Sequence, residues 1–272
     1  MRISISRGIG RRASHAPGCL AAGACLTVLL AHGARAAAVL SVQAPAGEFA
    51  STDARWQPWL GCWELSHEML DDPEQRRPTD VPLTRSVPDP STAIRVCVTP
   101  EGATSGVRMS TEVDGRPVIE ERLVADGTEQ PVDEANCRGS RRAEWSEDGL
   151  RLFSRAEITC AGEPAQSVSH LATIVSGTWV DVQAITREAR QGVRVRRYRR
   201  IGNARPDPEN RAIAGTGSFD VADVKEASAK VTPLVLQAAL VETAARFRLT
   251  GRTMIELDRA GVADEVTDVM WR

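Results

Sequence analysis

The residues able to do chemistry are few. Of four His, two lie near the N-terminus, which leaves His67 and His170 for acid–base work. His67-Glu68 lacks a second His three positions on, so the zinc-protease helix signature fails. Gly-x-Ser-x-Gly, Gly-x-Gly-x-x-Gly and phosphate-loop patterns do not occur. Glu157 and Asp181 are candidate partners for His170, although a lone histidine in a strand is more simply structural. The sequence therefore points to no catalytic residue, no metal and no cofactor. A basic stretch is more distinctive. Val193-Arg-Val-Arg-Arg-Tyr-Arg-Arg200 places Arg194, Arg196, Tyr198 and Arg200 on one face of a strand. Arg matches carboxylate or phosphate through two parallel hydrogen bonds. That face is a solvated one with a single buried Arg, an anionic-ligand site, or a stripe for anionic lipid or polysaccharide.

Aromatic residues are only 4% of the chain, yet six of them are Trp. Trp56, Trp59, Trp63, Trp145 and Trp179 are core anchors or the lining of a ligand cavity, with Trp63, Trp145 and Trp179 the ligand candidates. Cys62, Cys97, Cys137 and Cys160 have no zinc-knuckle spacing and read as two disulfides. If the turn Ser146–Gly149 sets Trp145 opposite Leu150, Cys137 faces Ile158, and Cys160 is close enough to bond with one bulge. Cys62 and Cys97 then join the first two strands and tie down the Pro-rich loop 69–93.

Residues 1–36 read as a secretory signal peptide. Arg2, Arg7, Arg11 and Arg12 precede an apolar run from Cys19 to Ala31, and Ala34-Arg35-Ala36 is a small-x-small cleavage site. The run is too short for a membrane helix. Lipid anchoring at Cys25 is an alternative, disfavoured because most of the apolar core follows it. Of the 34 basic residues five lie in this leader, and none of the 36 acids, so the mature chain has 29 against 36 and a net charge of −7. That acidity excludes nucleic acid as the expected partner.

These residues need elements to hold them. Residues 37–54 form a flexible lead-in, 55–202 a domain of alternating strands, 203–218 a linker rich in Pro and Asn, and 219–272 a small helical module. Asp114-Gly115 between two alternating runs is a hairpin signal, and eight or nine antiparallel strands follow one another through short turns. Thr232-Pro233 and Thr250 start helices, and Gly261 ends one. About 50 residues make a marginal independent fold, so this module is expected to pack on the barrel or on a partner. The fold class is mainly β: an antiparallel up-and-down barrel followed by helices.

Gly61-x-Trp63 on the first strand, with Arg196 or Arg200 on the last, resembles the lipocalin (calycin) family. In that family an Arg from the last strand packs over the Trp and closes the barrel's blind end. The resemblance covers about 55–202 and implies an eight-stranded barrel holding one small apolar ligand. The loop 69–93 departs from it. The expectation is an exported bacterial protein, periplasmic or extracellular, binding a small apolar, amphiphilic or anionic ligand rather than acting as an enzyme. The alternative is a filled barrel whose helical module docks an envelope partner.

Overall fold

The computed structural model describes residues 53–71, 93–102, 105–134, 136–188, 190–202 and 218–271. The leader 1–36, nearly all of the lead-in 37–54 and the linker 203–218, and the loop 69–93 apart from its ends lie outside them. Ten strands form one antiparallel meander: β1 Gly61–Asp71, β2 Ile94–Pro100, β3 Val107–Val113, β4 Arg116–Leu123, β5 Asp126–Glu134, β6 Cys137–Trp145, β7 Arg151–Cys160, β8 Gln166–Val175, β9 Thr178–Arg187 and β10 Arg190–Ile201. Their order in the sheet is β4-β3-β2-β1-β10-β9-β8-β7-β6-β5. Consecutive strands β4 and β5 are thus the two edges of a sheet that curls into an open up-and-down barrel. Side chains stitch that seam. Arg141 of β6 reaches Glu121 Oε2 at 2.8 Å and the Arg122 carbonyl at 2.6 Å, both on β4.

The strand count exceeds the eight of the resemblance and the eight or nine of the sequence pattern. The addition is β5, which begins with Asp126-Gly127 and contains Pro131. An edge strand tolerates Pro because one side of its ladder is unpaired.

Two disulfides, Cys62–Cys97 and Cys137–Cys160, staple β1 to β2 and β6 to β7. Cys137 lies directly opposite Cys160, and Trp145 faces Leu152 rather than Leu150. The expected register is off by two because the turn is longer than Ser146–Gly149. Ser146 Oγ donates to Asp148 (2.5 Å), which accepts from the Leu150 N–H (2.9 Å), and the Arg151 N–H donates back to Ser146 Oγ (2.9 Å). This side-chain scaffold holds two more residues in the loop, and no bulge is needed at the cysteines. Replacing both Cys137 and Cys160 with Ala is expected to lower unfolding free energy by about 3 kcal/mol, given the 23-residue separation. Urea unfolding of the oxidised parent and the double variant measures it.

Helices α1 Val221–Lys230, α2 Pro233–Glu242, α3 Gly251–Arg259 and α4 Asp264–Met270 follow. Asp220 and Asp223 form a capping box at the start of α1, and Thr250 accepts from the Thr253 N–H at the start of α3. No helix among the described residues is long and apolar enough to cross a membrane. Strands β7–β10 are largely buried on both faces for two reasons. One face lines the barrel. The other, with Phe153, Leu171, Val180, Val182, Val193 and Val195, forms a second core with Val224, Leu236, Leu240 and Leu257 of the helices. The face of β10 read as a solvated stripe instead turns Arg196 and Tyr198 into the barrel, and the opposite face, with Val193 and Val195, is covered by helix. Arg side chains grip the helix ends: Arg155 donates to the Lys230 and Ala229 carbonyls, and Arg197 to the Glu242 carbonyl (3.0 Å). The described helices and barrel form one compact unit.

Candidate functional site

Alternation along each strand sends every second side chain inward, and these surround a cavity of about 220 Å³. Its apolar wall includes Val96, Val98, Met109, Leu123, Leu152 and Ile158. Polar side chains converge on it from consecutive strands: Arg141, Ser154, His170, Asp181 and Arg196, with Glu121 across the seam.

The indoles close one end. Trp56 packs edge-on to Trp145 (4.7 Å between centroids), Trp59 to Trp179 (5.4 Å), and Trp63 to Trp179 (5.8 Å). The guanidinium of Arg200 lies 4.5 Å over the Trp63 ring. It also donates to the Leu60 carbonyl (2.6 Å) and the Pro58 carbonyl, so it ties the segment before β1 to the last strand at this closed end. Gly61 sits at φ 110°, and a Cβ there would stand 3.2 Å from Arg200 Nη1. Of the two candidates for the Arg over Trp63, Arg200 takes the place; Arg196 faces the cavity and bonds Glu68 Oε1 at 2.7 Å.

The six ligand candidates divide by place. Trp179, Arg196 and Tyr198 line the cavity. Trp63 and Trp145 do not line it but belong to the indole cluster at its end. Arg194 lines a separate concavity with Leu70, Ile185 and Arg187. His67 lies apart, in a hollow with Arg197 and Arg199. Trp56 and Trp59, read as core or cavity lining, do line it, whereas sequence reasoning passed over Glu121, Arg141 and Ser154. Arg141 and Glu121 carried no signal, since alternation alone does not say which face of a strand turns inward.

His170 pairs with Asp181, not Glu157, which is exposed on the outer face. Its Nε2 lies 2.8 Å from Asp181 Oδ2 and its Nδ1 lies 3.0 Å from Ser154 Oγ. Three buried donors nearby have no partner: Arg141 Nε and the indole N–H groups of Trp56 and Trp179. Such groups are costly unless an acceptor reaches them. Among the described residues no cluster of His, Cys, Asp and Glu is arranged to hold a metal.

Tyr198 is stacked 4.9 Å from Trp179, and burial together with the Asp181 charge pushes its phenol above the ordinary tyrosine value. It is the chain's one tyrosine, so phenolate absorbance reads this residue alone. The unfolded phenol ionises near 10 and the folded one only above that. The folded state thus binds the extra proton, and stability is lost as pH rises past about 10. The expected titration shows no phenolate until the alkaline unfolding transition. A tyrosine that ionised reversibly in the folded protein would contradict it.

No protein-family model matches the sequence, and no curated protein matches it. Solved structures do. Secretory abundant heat soluble protein 4 from Ramazzottius varieornatus is 16% identical over 54% of this chain and 96% of its own, with a TM-score of 0.35. Fatty-acid-binding protein 1 of Echinococcus granulosus is 12% identical over 54% and 99%, with a TM-score of 0.34. A Schistosoma mansoni fatty acid binding protein, solved with arachidonic acid, is 14% identical over 53% and 97%, with a TM-score of 0.33.

Proposed function

We propose that this is an exported carrier of a short amphiphilic molecule with an acidic head. The observation that carries the reading is the cavity of about 220 Å³, apolar over most of its wall and supplied with unpartnered N–H donors and a cationic Arg196. The volume lies below the ~300–1,000 Å³ of drug-sized sites, which selects a short chain. The signal-peptide pattern of 1–36 and the two disulfides support export to an oxidising compartment.

Indole fluorescence tests it, because Trp56, Trp59 and Trp179 line the cavity. Octanoate is expected to change the emission saturably and octanol more weakly. Arg196→Met is expected to weaken octanoate binding about 10- to 100-fold, the worth of a hydrogen bond to a charged group. Octanol is expected to lose little. The absence of any saturable change with either compound would refute the carrier reading.

A further inference from the structure

The register brings four polar residues to one level of the barrel wall. Ser154 of β7 lies directly opposite His170 of β8. Asp181 of β9 faces Ala172, and Arg141 of β6 faces Ala156, so each is one diagonal step from its neighbour in the series. Diagonal neighbours are within reach of long side chains. Asp181, as a carboxylate, only accepts, so the short Nε2 contact places the imidazole proton on Nε2. The Nδ1 lone pair then faces the Ser154 hydroxyl at 3.0 Å. This is the nucleophile, base and orienting-carboxylate order of a serine hydrolase, with the two ring nitrogens exchanged. All three side chains line the cavity.

We propose that the cavity also hydrolyses short-chain carboxylic esters, with Ser154 as nucleophile, His170 as general base and Asp181 as a positioning residue. The proposal rests on the reading that the cavity admits a short amphiphile. Ser154 Oγ bonds to the carbonyl carbon while its proton passes to His170 Nδ1. The ester C–O bond then breaks, and His170 returns the proton to the leaving alcohol. Water attacks the acyl-serine, its proton passes through His170 back to Ser154 Oγ, and the carboxylic acid leaves. One ester and one water give one acid and one alcohol. The developing oxyanion needs a donor that is not already committed, and the buried Nε–H of Arg141 is one. Both terminal nitrogens of Arg141 are held, on Glu121 and on the Arg122 carbonyl, so the guanidinium is fixed in place. The carboxylate product meets Arg196.

The test uses the full chain, p-nitrophenyl butyrate as substrate and diethyl p-nitrophenyl phosphate as a covalent probe read by intact mass and peptide mapping. Saturable p-nitrophenol release is expected, with the phosphoryl label on Ser154. Ser154→Ala should lose the label and at least about 100-fold in rate. Asp181→Asn should lower kcat by a similar factor with KM unchanged, a split that loss of the cavity would not give. The label needs no variant, so it decides the matter even if a substitution disturbs folding. Octanoate binding without turnover or label overturns the hydrolase and leaves the carrier reading standing. Label on any residue other than Ser154 also overturns it. Neither binding nor turnover overturns both.

Discussion

Replacing Arg151 with Met is expected to destabilise the protein by about 3–5 kcal/mol and to release the helical layer first. The Arg151 side chain is 1% exposed. It donates to Asp148 Oδ2 (2.8 Å), to both carboxylate oxygens of Asp223 (2.9 and 2.7 Å) and to the Ser218 carbonyl (3.1 Å). Its guanidinium also lies 4.4 Å over the Phe219 ring. Asp223 meanwhile accepts from the Asp220 N–H in the capping box of α1. One cation thus joins the β6–β7 turn to the start of the helices. Met fills the stem volume but leaves the partly buried Asp223 and the more exposed Asp148 facing each other with no cation between them.

The pH dependence of that variant has a definite sign. Burial already holds Asp223 above the ordinary carboxylate value, and the Arg151 charge opposes the rise. Without Arg151 the folded carboxyl rises further, so the penalty is full at neutral pH. It fades as pH falls toward the ordinary carboxylate value of about 4, where the proton neutralises it. Thermal melts should show a drop on the order of 10 °C at neutral pH and a smaller one in mild acid. Hydrogen exchange should speed up in α1 and α2 before β1–β3. A variant with parental melting at neutral pH would remove Arg151 from this role.

Much of the barrel was legible because it depends on local rules. Alternation from Val107 to Ile201 marks strands, Asp114-Gly115 marks a hairpin, and Thr250 and Gly261 bracket a helix. What was not legible depends on one element covering another. Phe153 and Leu171 alternate with inward residues, and only the helices make their face a core. Asp126–Glu134 reads as turn and loop because its Gly, Pro and acids have weak strand propensity, and β6 supplies the pairing that overrides it. The register after Trp145 was set by hydroxyl and carboxylate bonds inside a loop, which hydrophobic period does not encode. The candidate site divides in the same way. Arg196 and Tyr198 were visible as one face of one strand. The meeting of Ser154 with His170 needed the register of two strands, and that of His170 with Asp181 needed a third.

Trp63→Ala is expected to cost about 3–5 kcal/mol and to change which ligands the cavity accepts. The ring is 1% exposed, lies between Arg200 and Trp179, and its N–H donates to the Trp59 carbonyl at 2.8 Å. Three backbone carbonyls of the closing segment are therefore held from one spot: Trp59 by the indole, and Pro58 and Leu60 by the Arg200 that the indole supports. Alanine leaves a void beneath Arg200 and frees the Trp59 carbonyl. Trp179, which lines the cavity, loses one of its two edge-on neighbours. The void then adjoins the cavity, so longer acids such as dodecanoate should gain affinity relative to octanoate. Trp63→Phe separates the two effects. It keeps a ring for Arg200 and loses only the bond to Trp59, which should cost about 1–3 kcal/mol and leave chain-length preference near the parent's. Urea unfolding and fluorescence titration with both acids read stability and selectivity on the same samples. If Trp63→Ala lost stability with no change in chain-length preference, the indole cluster would be a closure for the fold alone. A joint change makes Trp63 the floor of the binding cavity as well, so that one residue sets both the barrel's closure and the length of its ligand.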